Sequence, residues 1–192
     1  PPAAPKPTEG TAPAATAATA VLLGLFLSSG TAIGQAAKPD TGRLLSVEQS
    51  GQVANYRVTL SGTLKWEAKA GSRIQFLSAP AVLKSIDLKG GKLKLAQFTA
   101  GRATSQQLIA NEAGVFDVGF EYETRMTRVN GEWGCSVPTQ SAMVNRLSLE
   151  MRGRELEVTS PDAVSLKHTF TTGSINKVEL VLPPKPGTRI SW

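Results

Sequence analysis

The sequence predicts an all-β protein, an antiparallel immunoglobulin-like β-sandwich over residues 38–192 behind an apolar leader over residues 1–37, on three observations. From Arg43 onward apolar and polar side chains alternate with a period of two. Two pairs that tolerate positive φ, Gly90–Gly91 and Asn130–Gly131, sit between alternating runs where a tight hairpin would turn. No comparable stretch after Ala37 repeats at helical spacing. About a dozen short strands with one apolar face each describe two stacked sheets. Two tandem small sandwiches are the alternative, and "PTQSA", Pro138 to Ala142, is where they would divide.

Taken in order, the leader opens with "PPAAPKPTEGTAP", which has almost no bulky apolar side chains and is expected to be disordered. No charged residue follows from Thr11 to Ala37, and Val21 to Leu27 is its dense apolar part. That run is short of the about 20 residues a membrane span needs, and it matches a signal-peptide h-region of roughly 7 to 15. Small residues suited to a peptidase follow it, "AIG" ending at Gly34 or "GQA" ending at Ala36. Only Lys6 supplies upstream positive charge, so an uncleaved membrane anchor padded by Ala14 to Ala20 and a buried core helix stand beside the cleaved signal. The cleaved signal and the membrane anchor put the body outside the cytoplasm: periplasmic, envelope-associated or secreted. No cysteine just past the run indicates a lipoprotein anchor.

In "YRVTLSGTLKW" the even positions Tyr56, Val58, Leu60, Leu64 and Trp66 form an apolar face. Gly62 is the gap in it, which suggests a bulge or a bend. Ile74 and Phe76 alternate next, and "IDLKGGKLKL" reads as a lysine-bearing hairpin around Gly90–Gly91 with Leu93 and Leu95 on its second arm. "SQQLIANEAG" reads as one helical turn at most. Phe116, Val118, Phe120, Tyr122 and Met126 mark a long strand, and "RVNGEW" a second hairpin, leading into Trp133, Cys135 and Val137. The remaining inward sets are Leu147, Leu149 and Met151; Val164, Leu166 and Phe170; Val178, Leu180 and Leu182; and Ile190 with Trp192. "TRISW" reads as a strand that has only begun, which predicts continuation past Trp192.

A chain of 192 residues, 41% hydrophobic, has material for one ordinary core. Its net charge of +6 falls after the leader, because Lys6 and Glu9 cancel within the first 37 residues. A single cysteine allows no internal disulfide and no thiolate-rich metal site.

Few residues could carry chemistry. His168 is the lone histidine and shares the apolar parity of its strand, so it reads as a core or rim residue holding a hydrogen bond. Cys135 reads as a small buried hydrophobe. Asp117, Glu121 and Glu123 project from one polar strand face on which neighbours two apart are separated by about 7 Å, a spacing open to acid–base or calcium chemistry, but Arg125 on the same face fits a solvated surface. No phosphate loop, zinc spacing or "GxSxG" elbow occurs. No cofactor, metal or catalytic residue is therefore expected.

The basic residues Lys65, Lys69, Arg73, Lys84, Lys89, Lys92 and Lys94 are opposed in their interval only by Glu67 and Asp87. They form a candidate surface for an anionic partner, or simply protect a sheet edge. Nucleic acid is not expected, since exposed aromatics do not interleave with that charge. For sugar stacking only Trp133, near the Asn130–Gly131 turn, presents a ring, and one ring is too few.

The stretch "VPTQSAMVNRLSLEMRGRELEVTSPDAV", followed by "NKVELVLPPKPGTRISW", resembles the exported β-rich front portion of large bacterial envelope proteins that carry membrane helices further on. The resemblance covers roughly the final third of the chain and implies export, β architecture and continuation, with no site residue attached. Together these readings predict a non-enzymatic extracytoplasmic binding or structural module of the cell envelope, contacting a protein or an anionic envelope component, with membrane proximity open. A hydrolase or metal-dependent enzyme on a sandwich is one alternative. A subunit that pairs with copies of itself through edge strands is another.

Overall fold

The computed structural model describes residues 40–101, 103–138, 142–153, 156–171, 173–185 and 187–192. The leader over residues 1–37 lies outside the described residues, as does the middle of the possible split at Pro138 to Ala142.

Thirteen strands follow one another along the described chain: β1 Arg43–Ala54, β2 Arg57–Ala68, β3 Arg73–Ser78, β4 Val82–Ile86, β5 Leu93–Ala100, β6 Ala103–Ala110, β7 Gly114–Arg125, β8 Thr127–Val129, β9 Glu132–Val137, β10 Val144–Arg152, β11 Ser165–Thr171, β12 Ile175–Val181 and β13 Thr188–Ser191. Seven of them form one large sheet in the order β11-β12-β10-β1-β2-β7-β4, and the rest form two three-stranded sheets, β13-β9-β8 and β3-β6-β5. Neighbours are antiparallel except β1 and β10, which run parallel with Ser50 opposite Ser148. That pairing joins strands from either side of residues 138–142 in one sheet.

Alternation explains why the layers stack. On β2, Val58, Leu60, Leu64 and Trp66 are buried, and on β7 so are Phe116, Val118, Phe120 and Tyr122. These eight side chains lie on one face of the large sheet because residues two apart point the same way. Both small sheets cover that face. Phe76 of β3 meets Phe120 edge-on at 5.3 Å between ring centroids, and Cys135 of β9 is buried near Tyr122. Two polar atoms buried with the aromatics are satisfied: Trp66 Nε1 donates to the Thr41 carbonyl at 3.0 Å, and the Tyr122 hydroxyl donates to Gln49 Oε1 at 2.6 Å.

The structure corrects several expectations. Tyr56 is not on the apolar face: it is 69% exposed, because Asn55 and Tyr56 are the two turn residues between β1 and β2, with φ of 49° and 59°. Gly62 marks no bulge, since it pairs in regular register with Gln49 and Phe120. An added Cβ would collide first with the Glu48 carbonyl oxygen of β1 and would also lie 3.0 Å from Cζ of the Phe120 ring. Bulges fall instead at Leu44/Ser46, Gln75/Leu77 and Leu83/Ser85.

"IDLKGGKLKL" is not a hairpin. Lys89, Gly90 and Gly91 all take positive φ, but β4 before them joins the large sheet and β5 after them joins a small one. A connection between layers has replaced a turn within one. Residues 105–110 of "SQQLIANEAG" are strand β6, the central strand of that small sheet. The Asn130–Gly131 turn is as expected, with φ of 53° and 92° between the paired Val129 and Glu132. Val164 and Phe170 are exposed at 70% and 45%, because β11 is the outermost strand of the large sheet.

Candidate binding surface

The face of the large sheet turned away from the core is polar across its width. The strand registers align Lys167, Glu179, Ser148, Ser50, Ser61, Glu121 and Ser85 in one row across all seven strands. Three serines from strands distant in sequence thus lie side by side over about 10 Å, at the strand spacing of about 4.8 Å. A shallow depression of ≈ 350 Å³ opens above them, lined also by Thr59, Glu121 and Glu150. A second, of ≈ 560 Å³, continues toward β11 past Arg146, Lys167 and Glu179.

The three β7 carboxylates lie on this same face, and two of them are engaged with cations. Glu121 Oε1 is 3.0 Å from Lys84 Nζ, and the hydrogen bond and charge of Glu121 hold the Lys84 ammonium above its usual range. Glu123 Oε1 accepts from Arg57 at 2.6 Å. Asp117 stands opposite Lys65 in the β2–β7 register. Among the described residues no three His, Cys, Asp or Glu side chains gather as a metal-binding group.

His168 is tied into the structure. Its Nε2 lies 3.0 Å from Asn176 Oδ1, which also accepts the Leu156 N–H at 3.2 Å. A carbonyl oxygen only accepts, so Nε2 is the donor in this bond. Cys135 is fully buried and burial pushes its thiol up to about 12, which leaves no thiolate for nucleophilic or metal chemistry at neutral pH.

The seven predicted basic residues do not converge. Lys65 is on the outer face of the large sheet, between buried Leu64 and Trp66. Lys69 lies 3.9 Å from Asp40, Lys89 pairs with Asp87 at 2.6 Å, and Lys92 with Glu112 at 2.9 Å. Lysine–aspartate contact through the Lys89 backbone and side chain holds the Asp87 carboxyl below its usual range. Arg73 and Lys94 both stand opposite Ile109, on the outward face of the β3-β6-β5 sheet. That face is turned to the opposite side of the sandwich from Lys65 and Lys84. A cluster in sequence has been divided between two layers.

At the end of the large sheet where β1 turns into β2, two aromatic rings meet and several arginines hold local contacts. Tyr56 packs on Trp133 at 5.3 Å between centroids, with the rings inclined by 51°. Arg57 stands directly opposite Arg125 on the outer face, and the Met126 N–H donates to the Tyr56 carbonyl at 3.0 Å. Arg128 pairs in register with Trp133 and donates through Nε to the Gly131 carbonyl at 2.9 Å. Arg189 donates to Thr127 Oγ1 at 3.1 Å. The sequence offered little sign of the ring pair, because Tyr56 and Trp133 are brought together only by the meeting of two sheets.

No protein-family model matches the sequence, and no curated protein matches it. Among solved structures the chain is similar to a two-domain M1 zinc metallopeptidase bound to L-tryptophan, with TM-score 0.49 and 8% identity over 80% of this chain and 43% of that one. An M1 zinc metallopeptidase from Deinococcus radiodurans with a Tyr-Ser-Ala substrate gives TM-score 0.48 and 6% identity over 78% and 42%. The same enzyme without that substrate gives 0.47 and 7% over 79% and 42%. The chain spans less than half the length of these proteins.

Proposed function

We propose that the protein is a non-enzymatic extracytoplasmic binding module of the cell envelope that works through surface contact. The observation that carries the reading is the outer face of the seven-stranded sheet, which presents hydroxyls and paired charges across its whole width and two open depressions. Such a face suits a partner that lies across it. The side chains best able to do chemistry have other work: Glu121 and Glu123 neutralise cations, His168 holds Asn176, and Cys135 fills the core. Export rests on the apolar run Val21 to Leu27 and the small residues after it.

The test is cosedimentation of the full chain with isolated bacterial envelope fractions, beside a panel of peptide, ester and glycoside substrates. Binding is expected to fall at least several-fold when Ser50→Arg and Ser61→Arg place bulky charge in the middle of the face, with melting unchanged. Turnover of any substrate that disappears in Glu121→Gln or His168→Asn would replace this reading with the hydrolase alternative.

A further inference from the structure

The tyrosines and tryptophans that the core does not enclose all lie at one end of the sandwich. The chain has two tyrosines and three tryptophans. Trp66 and Tyr122 are fully buried, whereas Tyr56 is exposed and Trp133 and Trp192 are half-buried. Tyr56 sits in the turn from β1 to β2 with its ring against Trp133, and the Trp192 N–H donates to the Trp133 carbonyl at 2.8 Å. A φ of 59° is one that glycine or asparagine adopts more readily, so neither the turn nor the core calls for a tyrosine at position 56. Exposed Val129 stands beside the Asn130–Gly131 turn, opposite Glu132 and next to the Arg128–Trp133 pair.

The strand ends around these rings carry arginine. Arg57 begins β2 and stands opposite Arg125, which ends β7. Arg152 ends β10, and the parallel register that sets Met151 beside Val53 brings it level with Ala54, the partner of Arg57. Arg128 stands opposite Trp133 in the small sheet. All four are exposed, and among the described residues only Arg57 has a carboxylate partner, Glu123. The carboxylates on neighbouring positions, Glu123, Glu132 and Glu150, are outnumbered by these arginines and by Lys177 opposite Glu150. The other end of the sandwich is different: Arg43, Lys69 and Lys92 stand beside Glu67, Asp40 and Glu112.

We infer that this end of the sandwich docks on an anionic lipid surface. The inference concerns a second surface and goes beyond the outer face of the large sheet. The arginines do not converge on a point; they are spread along the strand ends of both layers, which suits a plane of headgroups rather than one small anion. Tyrosine and tryptophan favour the boundary between hydrocarbon and water because each joins an apolar ring to a polar tip. Arginines beside them meet lipid phosphates with paired donors and are drawn to the negative surface potential. Single-stranded nucleic acid fits less well, since it is held by a succession of stacking rings and here Tyr56 and Trp133 lie against each other.

The experiment is flotation of the full chain with vesicles of phosphatidylglycerol and phosphatidylcholine over a range of salt, beside vesicles of phosphatidylcholine alone and a single-stranded oligonucleotide. Binding is expected to be tighter to the anionic vesicles and to fall with salt. Tyr56→Asn, which suits the turn, and Arg125→Gln with Arg152→Gln are each expected to weaken it about tenfold, and Lys65→Gln with Lys94→Gln less than about threefold. Melting curves of the variants confirm that they fold. Lipid brominated near the top of its acyl chains is expected to quench part of the tryptophan emission, because Trp133 and Trp192 lie at the docking end and only Trp66 is sealed in the core. Ser50→Arg with Ser61→Arg, on the other surface, is expected to leave vesicle binding in place. Binding equal in wild type, Tyr56→Asn and the arginine variant, as the apolar run Val21 to Leu27 by itself would give, overturns the inference. So does an absence of quenching, or an oligonucleotide that binds where the vesicles do not. Vesicle binding lost in Ser50→Arg with Ser61→Arg but kept in the end variants overturns it too, while leaving the binding-module reading intact.

Discussion

Strands β2 and β11 carry the same signal in sequence and have different fates in the fold. Both alternate apolar and polar residues, yet Val58, Leu60 and Trp66 of β2 are wholly buried, whereas Phe170 at the end of β11 is 45% exposed and Leu166 is only half-buried. The difference is position. β2 lies between β1 and β7 under the small sheets, and β11 is an edge with one neighbour, β12. Alternation reports which way a side chain points. It does not report whether another layer covers it.

The comparison can be broken by substitutions whose effects run from large to small. Trp66→Ala should destabilise the protein by about 3–5 kcal/mol in urea unfolding, because a fully buried indole leaves a cavity and the Thr41 carbonyl loses its donor. A loss under 1 kcal/mol would mean that the layer over β2 is loosely packed. The second probe is pH. Burial holds the Cys135 thiol up to about 12 against an ordinary value of 9.0, so across that window the native state keeps a proton that the unfolded chain gives up. This stabilising term is complete below about pH 9 and is lost as pH rises through about 12. Wild type should therefore lose more stability than Cys135→Ala between those limits, and parallel curves would show that the thiol is reached by solvent. The smallest effect belongs to the edge: Phe170→Thr should change stability by no more than about 0.5 kcal/mol. A loss of 2 kcal/mol or more would show that β11 is covered by another surface in solution.

Much of the fold was legible because strand periodicity and turn chemistry act over a few residues. The all-β class, the long strands β2 and β7, the Asn130–Gly131 hairpin and the inward sets of β10 and β12 needed nothing beyond neighbours. The misreadings share one cause. Tyr56 continued an apolar parity that the chain had interrupted with a turn, and Gly90–Gly91 looked like a hairpin because nothing local distinguishes a return within one sheet from a passage to another. Gly62 was taken for a bulge or a bend, when it is the close approach of the Glu48 backbone on β1 and of the Phe120 ring on β7 that leaves no room for a side chain.

The candidate surface was much less legible. Lysines close in sequence between Lys65 and Lys94 were divided between opposite faces, and four of the six stand beside carboxylates. Trp133 was set aside as a solitary ring because Tyr56 was placed in the core. The structure puts them in contact.

The sequence by itself determined that this chain forms strands, which side of most strands is apolar, and where the Asn130–Gly131 turn falls, since these follow from steric and hydrophobic preferences between residues a few positions apart. Only the tertiary structure decided which strands became neighbours. That choice aligned the serines of β10, β1 and β2, set Arg57 against Arg125, and left the apolar face of β11 partly open. Such outcomes depend on pairing between segments up to about a hundred residues apart, whose register is fixed by burying one common core and is written in no single stretch of the chain.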